Sequence, residues 1–175
     1  TLSELQVSAS DWGTWADTYQ FIVDHNPRYQ HDNLGEASIR QLHLTTLAFI
    51  DLNGNVVLSK SLDPDTGALL PQDLFAHGAL PQDFPWLDNL HNGRPGRGLI
   101  ATDRGVLLAA VSPILDGFGQ GPARGMVLMG RLLRGVELSE IGARAQTSVA
   151  LVKQRGGTTE AVQADDTTTQ VFRVF

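Results

Sequence analysis

Four side chains combine ligand-binding chemistry with a suitable place in the sequence: His43, Trp86, Arg97 and Arg131. Trp86 lies in a Pro- and Gly-rich stretch where we expect loops and short helices to cover a sheet. Arg97 and Arg131 stand at the ends of predicted strands, where they could bind an anionic ligand or form ordinary structural ion pairs. His43 would line a pocket if its face of the strand points toward the covering helices. We predict a ligand pocket between the sheet and residues 61–97.

Signatures of catalytic and metal sites are missing from the sequence. There is no cysteine, and no two of the five histidines have the i, i+4 spacing of a helical zinc site. No G-x-S-x-G turn presents a nucleophilic serine. We therefore predict that the chain is not an enzyme and uses neither a metal nor a cofactor.

Asp51, Asn53 and Asn55 resemble the first ligands of a calcium-binding EF-hand loop. In that loop a glycine is sixth and a bidentate glutamate is twelfth, whereas here Gly54 is fourth and Leu62 is twelfth. A two-residue type I′ turn at Asn53-Gly54 explains the same residues. The segment is predicted to be a β-hairpin.

Aromatic and acidic side chains are concentrated near the N-terminus at Trp12, Trp15, Asp17 and Tyr19. The apolar positions around them are three and four residues apart over three heptads, which predicts one long amphipathic helix over residues 1–25. This stripe consists of Leu2, Leu5, Ala9, Trp12, Ala16, Tyr19 and Val23. At helical spacing aromatic rings more often pack in a core than bind a ligand, so we interpret them as packing between this helix and its domain. Pro27 ends the pattern.

The rest of the chain predicts an α+β domain with a PAS-like or Cache-like antiparallel sheet of about five strands, a long N-terminal helix and small covering helices. Strands are predicted at residues 42–52, 55–60, 98–102, 105–115 and 126–133, with a further strand pair at 147–153 and 169–175. Short helices are predicted at 36–42, 73–78, 84–90 and 134–145. We divide this single domain into a signalling helix (1–25), a PAS-like core (42–132) and a C-terminal helix and strand pair (134–175).

Charge and hydropathy limit the classes of partner. The net charge is −6 and the thirteen basic residues are scattered, which argues against nucleic acid. The longest apolar run, residues 106–111, is far shorter than a membrane span, so any membrane attachment is expected from spans outside this sequence. The chain begins at Thr1 without a signal sequence, and we expect it to be an excised or processed piece of a larger protein.

Five segments, taken together and in order, resemble the fourth type of CHASE domain. They are DWGTWADTYQFI at 11–22, the N-x-x-Y-x-x-x-N-L spacing at 26–34, LAFIDLNGNVV at 47–57, AAVSPIL at 109–115 and GMVLMGRLL at 125–133. The resemblance extends over residues 11–144, and its most specific part is the D-W-x-x-W-x-D-x-Y core. The family tends to have two acids after the second tryptophan, whereas this chain has Ala16 and then Asp17. Asp17 is therefore the acid that can take that role.

The resemblance implies an extracytoplasmic sensory module of a bacterial receptor, placed between two membrane spans. Such modules control a cytoplasmic diguanylate cyclase, phosphodiesterase or histidine kinase, and the family implies no particular ligand. We expect a periplasmic ligand-sensing module of an inner-membrane protein that binds an unidentified small molecule. A homodimer is expected through the helix from Leu2 to Val23, where movement of the helix would transmit the signal. The alternatives are a dimerisation or protein-contact module without a small-molecule ligand and, third, a hydrolase or lyase.

Overall fold

A single six-stranded sheet organises the chain. The computed structural model describes residues 1–63, 65–135, 138–139, 143 and 171–173. The strands are β1 (Thr46–Asp51), β2 (Val56–Ser61), β3 (Gly96–Thr102), β4 (Gly105–Pro113), β5 (Gly125–Leu132) and β6 (Val171–Arg173). Their order is β2-β1-β5-β4-β3-β6, and the pairs are antiparallel except for β3 and β6, which are parallel. The predicted α+β fold with an antiparallel sheet of about five strands is confirmed.

Five helices and one 3₁₀ turn accompany the sheet in the described part of the chain. They are α1 (Leu2–Gly13), α2 (Ala16–Asp24), α3 (Pro27–Asn33), α4 (Glu36–Gln41), the 3₁₀ turn Asp73–Phe75 and α5 (Leu87–Asn92). Helix α3 occupies a segment for which the sequence predicted neither a helix nor a strand. It forms because the Asn26 side chain accepts a hydrogen bond from the Arg28 amide and Pro27 takes the first helical position. The strand predicted at 147–153 lies outside the described residues.

The N-terminal helical region is interrupted at Thr14 and Trp15, which corrects the prediction of one long helix. The Gly13 carbonyl accepts a hydrogen bond from the Leu115 amide at 2.8 Å, so it is bonded to the strand region instead of continuing the helix. The Thr14 hydroxyl donates to the Ser10 carbonyl in the last turn of α1. Trp15 then adopts an extended conformation with φ −71° and ψ 131° before α2 begins.

This interruption changes which residues of the predicted apolar stripe are buried. In α1 the stripe is correct, since Leu5, Ala9 and Trp12 are buried against the sheet. In α2 the buried residues are Thr18, Phe21 and Ile22. Of the stripe residues predicted there, Ala16 is exposed, Tyr19 is half-buried and Val23 is 60% exposed. The predicted stripe assumed that the helix continues without a break. Because Trp15 is extended, different residues of α2 face the core.

Both faces of the sheet are covered by apolar packing. Leu47 and Phe49 of β1 pack with the helices α1 to α4, while Ala48 and Ile50 pack with the segment after β2. Successive residues of β1 therefore face opposite sides of the sheet. The segment after β2 contributes six buried side chains to the second cluster: Leu74, Phe75, Leu80, Phe84, Trp86 and Leu90.

The predicted hairpin joins β1 and β2, but its turn is not of type I′. A type I′ turn needs positive φ at two residues, whereas only Gly54 has it here, at 82°. The Gly54 amide donates to the Asp51 carbonyl, which makes a three-residue loop that ends in a left-handed glycine. The Asp51 carboxylate accepts from the amides of Asn53 and Asn55 and from the Asn55 side chain, at 2.8–2.9 Å. These bonds stabilise the loop and use the oxygens that an EF-hand would give to calcium.

Candidate functional site

A cleft of about 370 Å³ lies where β1 begins and where β2 and β5 end. Its size falls within the range of small-molecule sites. His43 and Arg131, two of the four predicted ligand-binding residues, line this cleft. Two further arginines, Arg40 and Arg134, complete its basic side, and its apolar side consists of Leu44, Leu62 and Leu132.

His43 reaches the cleft through an unusual backbone conformation at the end of α4. Its φ of 53° lies in the left-handed region, which costs an ordinary residue roughly 1–2 kcal/mol. The His43 amide donates to the Arg40 carbonyl at 2.9 Å, and the Leu44 amide donates to the Ile39 carbonyl at 2.9 Å. These bonds end α4 with a left-handed residue, a position that is usually occupied by glycine. The backbone of His43 is thus fixed beside the start of β1, and its side chain is exposed.

Arg131 is held in the cleft by the same helix terminus. Its Nε donates to the His43 carbonyl at 2.7 Å, and its Nη2 donates to the Leu42 carbonyl at 3.3 Å. A cation is favourable at the C-terminus of a helix, where carbonyl groups lack helical partners. Thr45 adds a further link, since its hydroxyl oxygen accepts from the Leu132 amide at 2.9 Å.

Asp63, Asp65, Thr66 and Gly67, which follow β2, also line the cleft. The Asp63 carboxylate accepts hydrogen bonds from the amides of Asp65 and Thr66, at 2.9 and 2.8 Å, and from the Thr66 hydroxyl at 3.1 Å. The bond from the Thr66 amide, followed by that from the Asp65 amide, holds the pKa of Asp63 below its usual value. Across the cleft, Asp65 forms an ion pair with Arg134, and Arg40 Nη2 donates to the Gly67 carbonyl at 3.4 Å.

The charge of the cleft differs from that of the chain. Three arginines against two aspartates give the lining a formal charge of +1, whereas the chain carries −6. One of the two acids, Asp63, is already used by the backbone of its own turn. The cleft therefore favours an anion.

Trp86 and Arg97 lie elsewhere. Trp86 is only 6% exposed and packs edge-on against Phe84, with ring centroids 5.6 Å apart. It also covers Gly96 so closely that a Cβ there would lie 2.6 Å from the indole. Arg97 is exposed on β3 and donates to the Ser3 hydroxyl at 3.2 Å, which links β3 to α1. Much of the space predicted for a ligand between the sheet and 61–97 is thus occupied by core side chains, and the cleft lies at one end of it.

The N-terminal aromatic residues connect the two helices α1 and α2 to each other and to the sheet. Trp12 stacks on Trp15 across the interruption, with ring centroids 4.9 Å apart. The Arg124 guanidinium lies 3.7 Å from the Tyr19 ring centroid and also donates to the Tyr19 carbonyl at 3.0 Å. This cation–π contact joins α2 to the start of β5.

Asp17 borders a second, smaller cleft of about 220 Å³ that also includes Asp24, Asp32 and Tyr29. Beneath it the hydroxyls of Thr18 and Tyr29 lie 2.6 Å apart in a buried hydrogen bond. Burial raises the pKa of Tyr29 to about 12, and the charge of Asp17 acts in the same direction. Among the described residues, no three histidine or acidic side chains are grouped so as to hold a metal ion.

Comparison with known proteins gives one related signalling protein and a common fold. The chain is 29% identical over 188 residues to the methanogenesis regulatory histidine kinase FilI of Methanothrix harundinacea. The alignment includes 94% of this chain and 21% of FilI, so the chain spans about a fifth of that protein. None of the described helices is both long and apolar enough to cross a membrane.

Two solved structures share the fold at low identity. The sensor domain of E. coli DcuS aligns with a TM-score of 0.52 and 15% identity, covering 83% of this chain and 95% of that domain. A domain from Vibrio parahaemolyticus, described as a proposed sensory box/GGDEF family protein, aligns with a TM-score of 0.53 and 14% identity, covering 74% of this chain and 52% of that one. These likenesses concern the fold alone.

The family is shown by the sequence itself. Residues 1–152, which include α1 to α5 and β1 to β5, match the CHASE4 domain as one continuous segment. The match confirms the resemblance found in the D-W-x-x-W core and the hairpin. The chain belongs to the CHASE4 domain family.

Proposed function

We propose that this chain is the extracytoplasmic ligand-sensing module of a transmembrane signalling receptor and that its ligand binds in the cleft beside His43 and Arg131. Membership of the CHASE4 family, the fold shared with sensor domains and the 29% identity to a histidine kinase support this role. The kinase relative makes a histidine kinase the first candidate for the output domain, with an enzyme of cyclic-di-GMP metabolism as the second.

The observation that carries the proposal is the convergence of His43 and Arg131 in one cleft. These residues are 88 positions apart in sequence, yet Arg131 Nε lies 2.7 Å from the His43 carbonyl oxygen. A ligand bound in the cleft beside them would contact α4, the start of β1 and the end of β5 at once. It would shift the receptor only if it bound one arrangement of these elements more tightly than another.

A thermal-shift screen of the purified chain against small acids, amines and nucleotides tests ligand binding. A bound molecule should stabilise the chain by RT ln(1 + [L]/Kd), about 2.7 kcal/mol at a concentration of 100 Kd. The decisive variant is His43→Gly, because glycine accepts the left-handed φ of 53° while removing the imidazole. We expect this variant to fold normally and to lose most of the ligand-induced shift.

Arg97→Ala is the matched control, since Arg97 is exposed and lies outside the cleft. It should keep the full ligand-induced shift. The proposal fails if no compound stabilises the wild-type chain. It also fails if His43→Gly keeps the same ligand-induced shift as Arg97→Ala and the wild type.

We further propose that the module forms a homodimer through its N-terminal helices. Helix α1 buries Leu5, Ala9 and Trp12 on its own sheet, so a partner would have to contact the opposite face. That face carries Val7, which is 69% exposed, and α2 adds Val23. The same surfaces would serve the alternative role of a protein-contact module without a small-molecule ligand. Sedimentation velocity over a range of concentrations measures this association.

A further inference from the structure

We propose that the cleft binds a carboxylate group on a small organic acid and that Asp65 acts as an internal competitor for Arg134. The inference rests on the proposed function, since it names the class of ligand for the same cleft. Asp65 and Arg134 already show the contact that such a ligand would make, because a carboxylate of the chain lies on an arginine of the cleft.

The arginines of the cleft have the capacity to bind a second carboxylate. Arg131 uses two of its five N–H groups on the carbonyls of Leu42 and His43, which fixes the guanidinium and leaves up to three for a ligand. Arg40 is engaged by long contacts only, 3.4 Å to the Gly67 carbonyl and 3.6 Å to the Glu36 carboxylate. A planar guanidinium matches the two oxygens of a carboxylate.

The apolar side of the cleft indicates that the ligand is more than an inorganic anion. Leu44, Leu62 and Leu132 lie beside the arginines in the same 370 Å³. Sulfate or phosphate would leave the exposed part of this side uncovered, whereas the hydrocarbon part of an organic acid would cover it. That part is chiefly Leu132, which is half-buried, because Leu44 and Leu62 are already buried in the core.

Asp65 is suited to be displaced because the turn does not depend on its side chain. The carboxylate that stabilises the turn is that of Asp63, and Asp65 contributes only its backbone amide there. Its side chain is 73% exposed, so exchanging its contact with Arg134 for solvent costs little. A ligand carboxylate whose molecule also contacts Arg131 and the leucines would therefore bind Arg134 in preference to Asp65.

Titration calorimetry with straight-chain carboxylates from acetate to octanoate tests the inference on the whole chain. Hexanamide, hexylamine and inorganic phosphate serve as probes of charge and of the apolar part. We expect hexanoate to bind more tightly than acetate and phosphate, and hexanamide and hexylamine to bind more weakly than hexanoate. Asp65→Asn should bind hexanoate about three- to fivefold more tightly, the value of a partly exposed ion pair.

Asp103→Asn is the control, because it removes the same charge from an aspartate that pairs with Arg104 outside the cleft. It should leave hexanoate affinity unchanged, and Arg134→Gln should weaken it. Equal effects of Asp65→Asn and Asp103→Asn would overturn the competitor role. Binding of phosphate as tight as that of hexanoate would overturn the organic-acid class. If only amines or nucleotides stabilise the chain, this inference falls while the proposed function stands; if no compound does, both fall.

Discussion

Replacing Gly13 with alanine should weaken the packing of α1 on the sheet, although alanine is the better helix former. A Cβ built on Gly13 would lie 2.5 Å from the carbonyl oxygen of Pro113 and 3.6 Å from the Cβ of Ser112. The Pro113 carbonyl is part of the backbone of β4 and cannot rotate away as a side chain could. The clash can therefore be relieved only if α1 moves.

The size of the effect follows from that movement. An ordinary contact needs a separation of about 3.4 Å, so α1 must retreat by roughly 1 Å, a shift that costs about 1–3 kcal/mol in a packed core. It would also stretch the 2.8 Å bond from the Leu115 amide to the Gly13 carbonyl, which contributes about 1 kcal/mol. Alanine has a higher helix propensity than glycine, which offsets about 1 kcal/mol of this loss. The net loss is about 2 kcal/mol, or a fall in Tm of about 4–8 °C.

Urea unfolding followed by tryptophan fluorescence and circular dichroism measures this loss. Gly135→Ala is the control, because a Cβ at Gly135 meets no heavy atom of the described residues within 4 Å and the backbone of Gly135 is not left-handed. That variant should be as stable as the wild type or slightly more so. A Gly13→Ala chain within about 0.5 kcal/mol of the wild type, which is the usual range for a neutral surface substitution, would refute the close approach as the reason for this glycine.

Two further predictions concern α2, α3 and the outer face of α1. Burial raises the pKa of Tyr29 from about 10 in the unfolded chain to about 12 in the folded one, so the folded state binds the phenolic proton more tightly. The resulting stabilisation is fully present below pH 10. The free energy of unfolding should therefore fall by about 2 kcal/mol as the pH rises through 12. Chemical unfolding at pH 9 to 12 should show this slope in the wild type and not in Tyr29→Phe, and an equal slope in both would contradict it. Val7→Lys should abolish concentration-dependent dimerisation in sedimentation velocity with little change in monomer stability, because Val7 is 69% exposed; a dimer that survives it does not use this face.

The sheet was predictable because its pattern is local. Alternation in β1 separates Leu47 and Phe49 from Ala48 and Ile50, and the two sets do pack on opposite faces. The hairpin was located correctly by Asn53-Gly54, yet its turn type was wrong. The decisive residue is Asp51, whose carboxylate accepts from two backbone amides of the loop and favours a turn in which only Gly54 is left-handed.

The candidate cleft could be predicted only in part. His43 and Arg131 stood out because they lie near the ends of predicted strands, and the structure shows that these two strands pair in the sheet. Arg40 was missed because its spacing from Glu36 is typical of an exposed ion pair along a helix, which it does form at 3.6 Å. Its second contact, with the Gly67 carbonyl, depends on how the chain turns after β2, and no local pattern records that. Trp86 was predicted to line a pocket because the stretch around it is rich in Pro and Gly. Its burial depends on the close approach of Gly96, which that composition does not indicate.

The interruption between α1 and α2 shows most clearly what periodicity leaves out, and it constrains how a signal could pass through the domain. Apolar residues three and four positions apart continue across Gly13 and Thr14. The helix is nevertheless interrupted there, because Gly13 contacts Pro113 and Leu115, about a hundred residues later in the sequence. A single rigid helix would transmit a displacement along its whole length. Here a displacement of α1 would act first on the end of β4 and the residues after it, because Gly13 lies against Pro113 and its carbonyl is bonded to the Leu115 amide. It would reach α2 through the stacked rings of Trp12 and Trp15. Signalling by helix movement would therefore involve the sheet directly, which is where the candidate cleft lies.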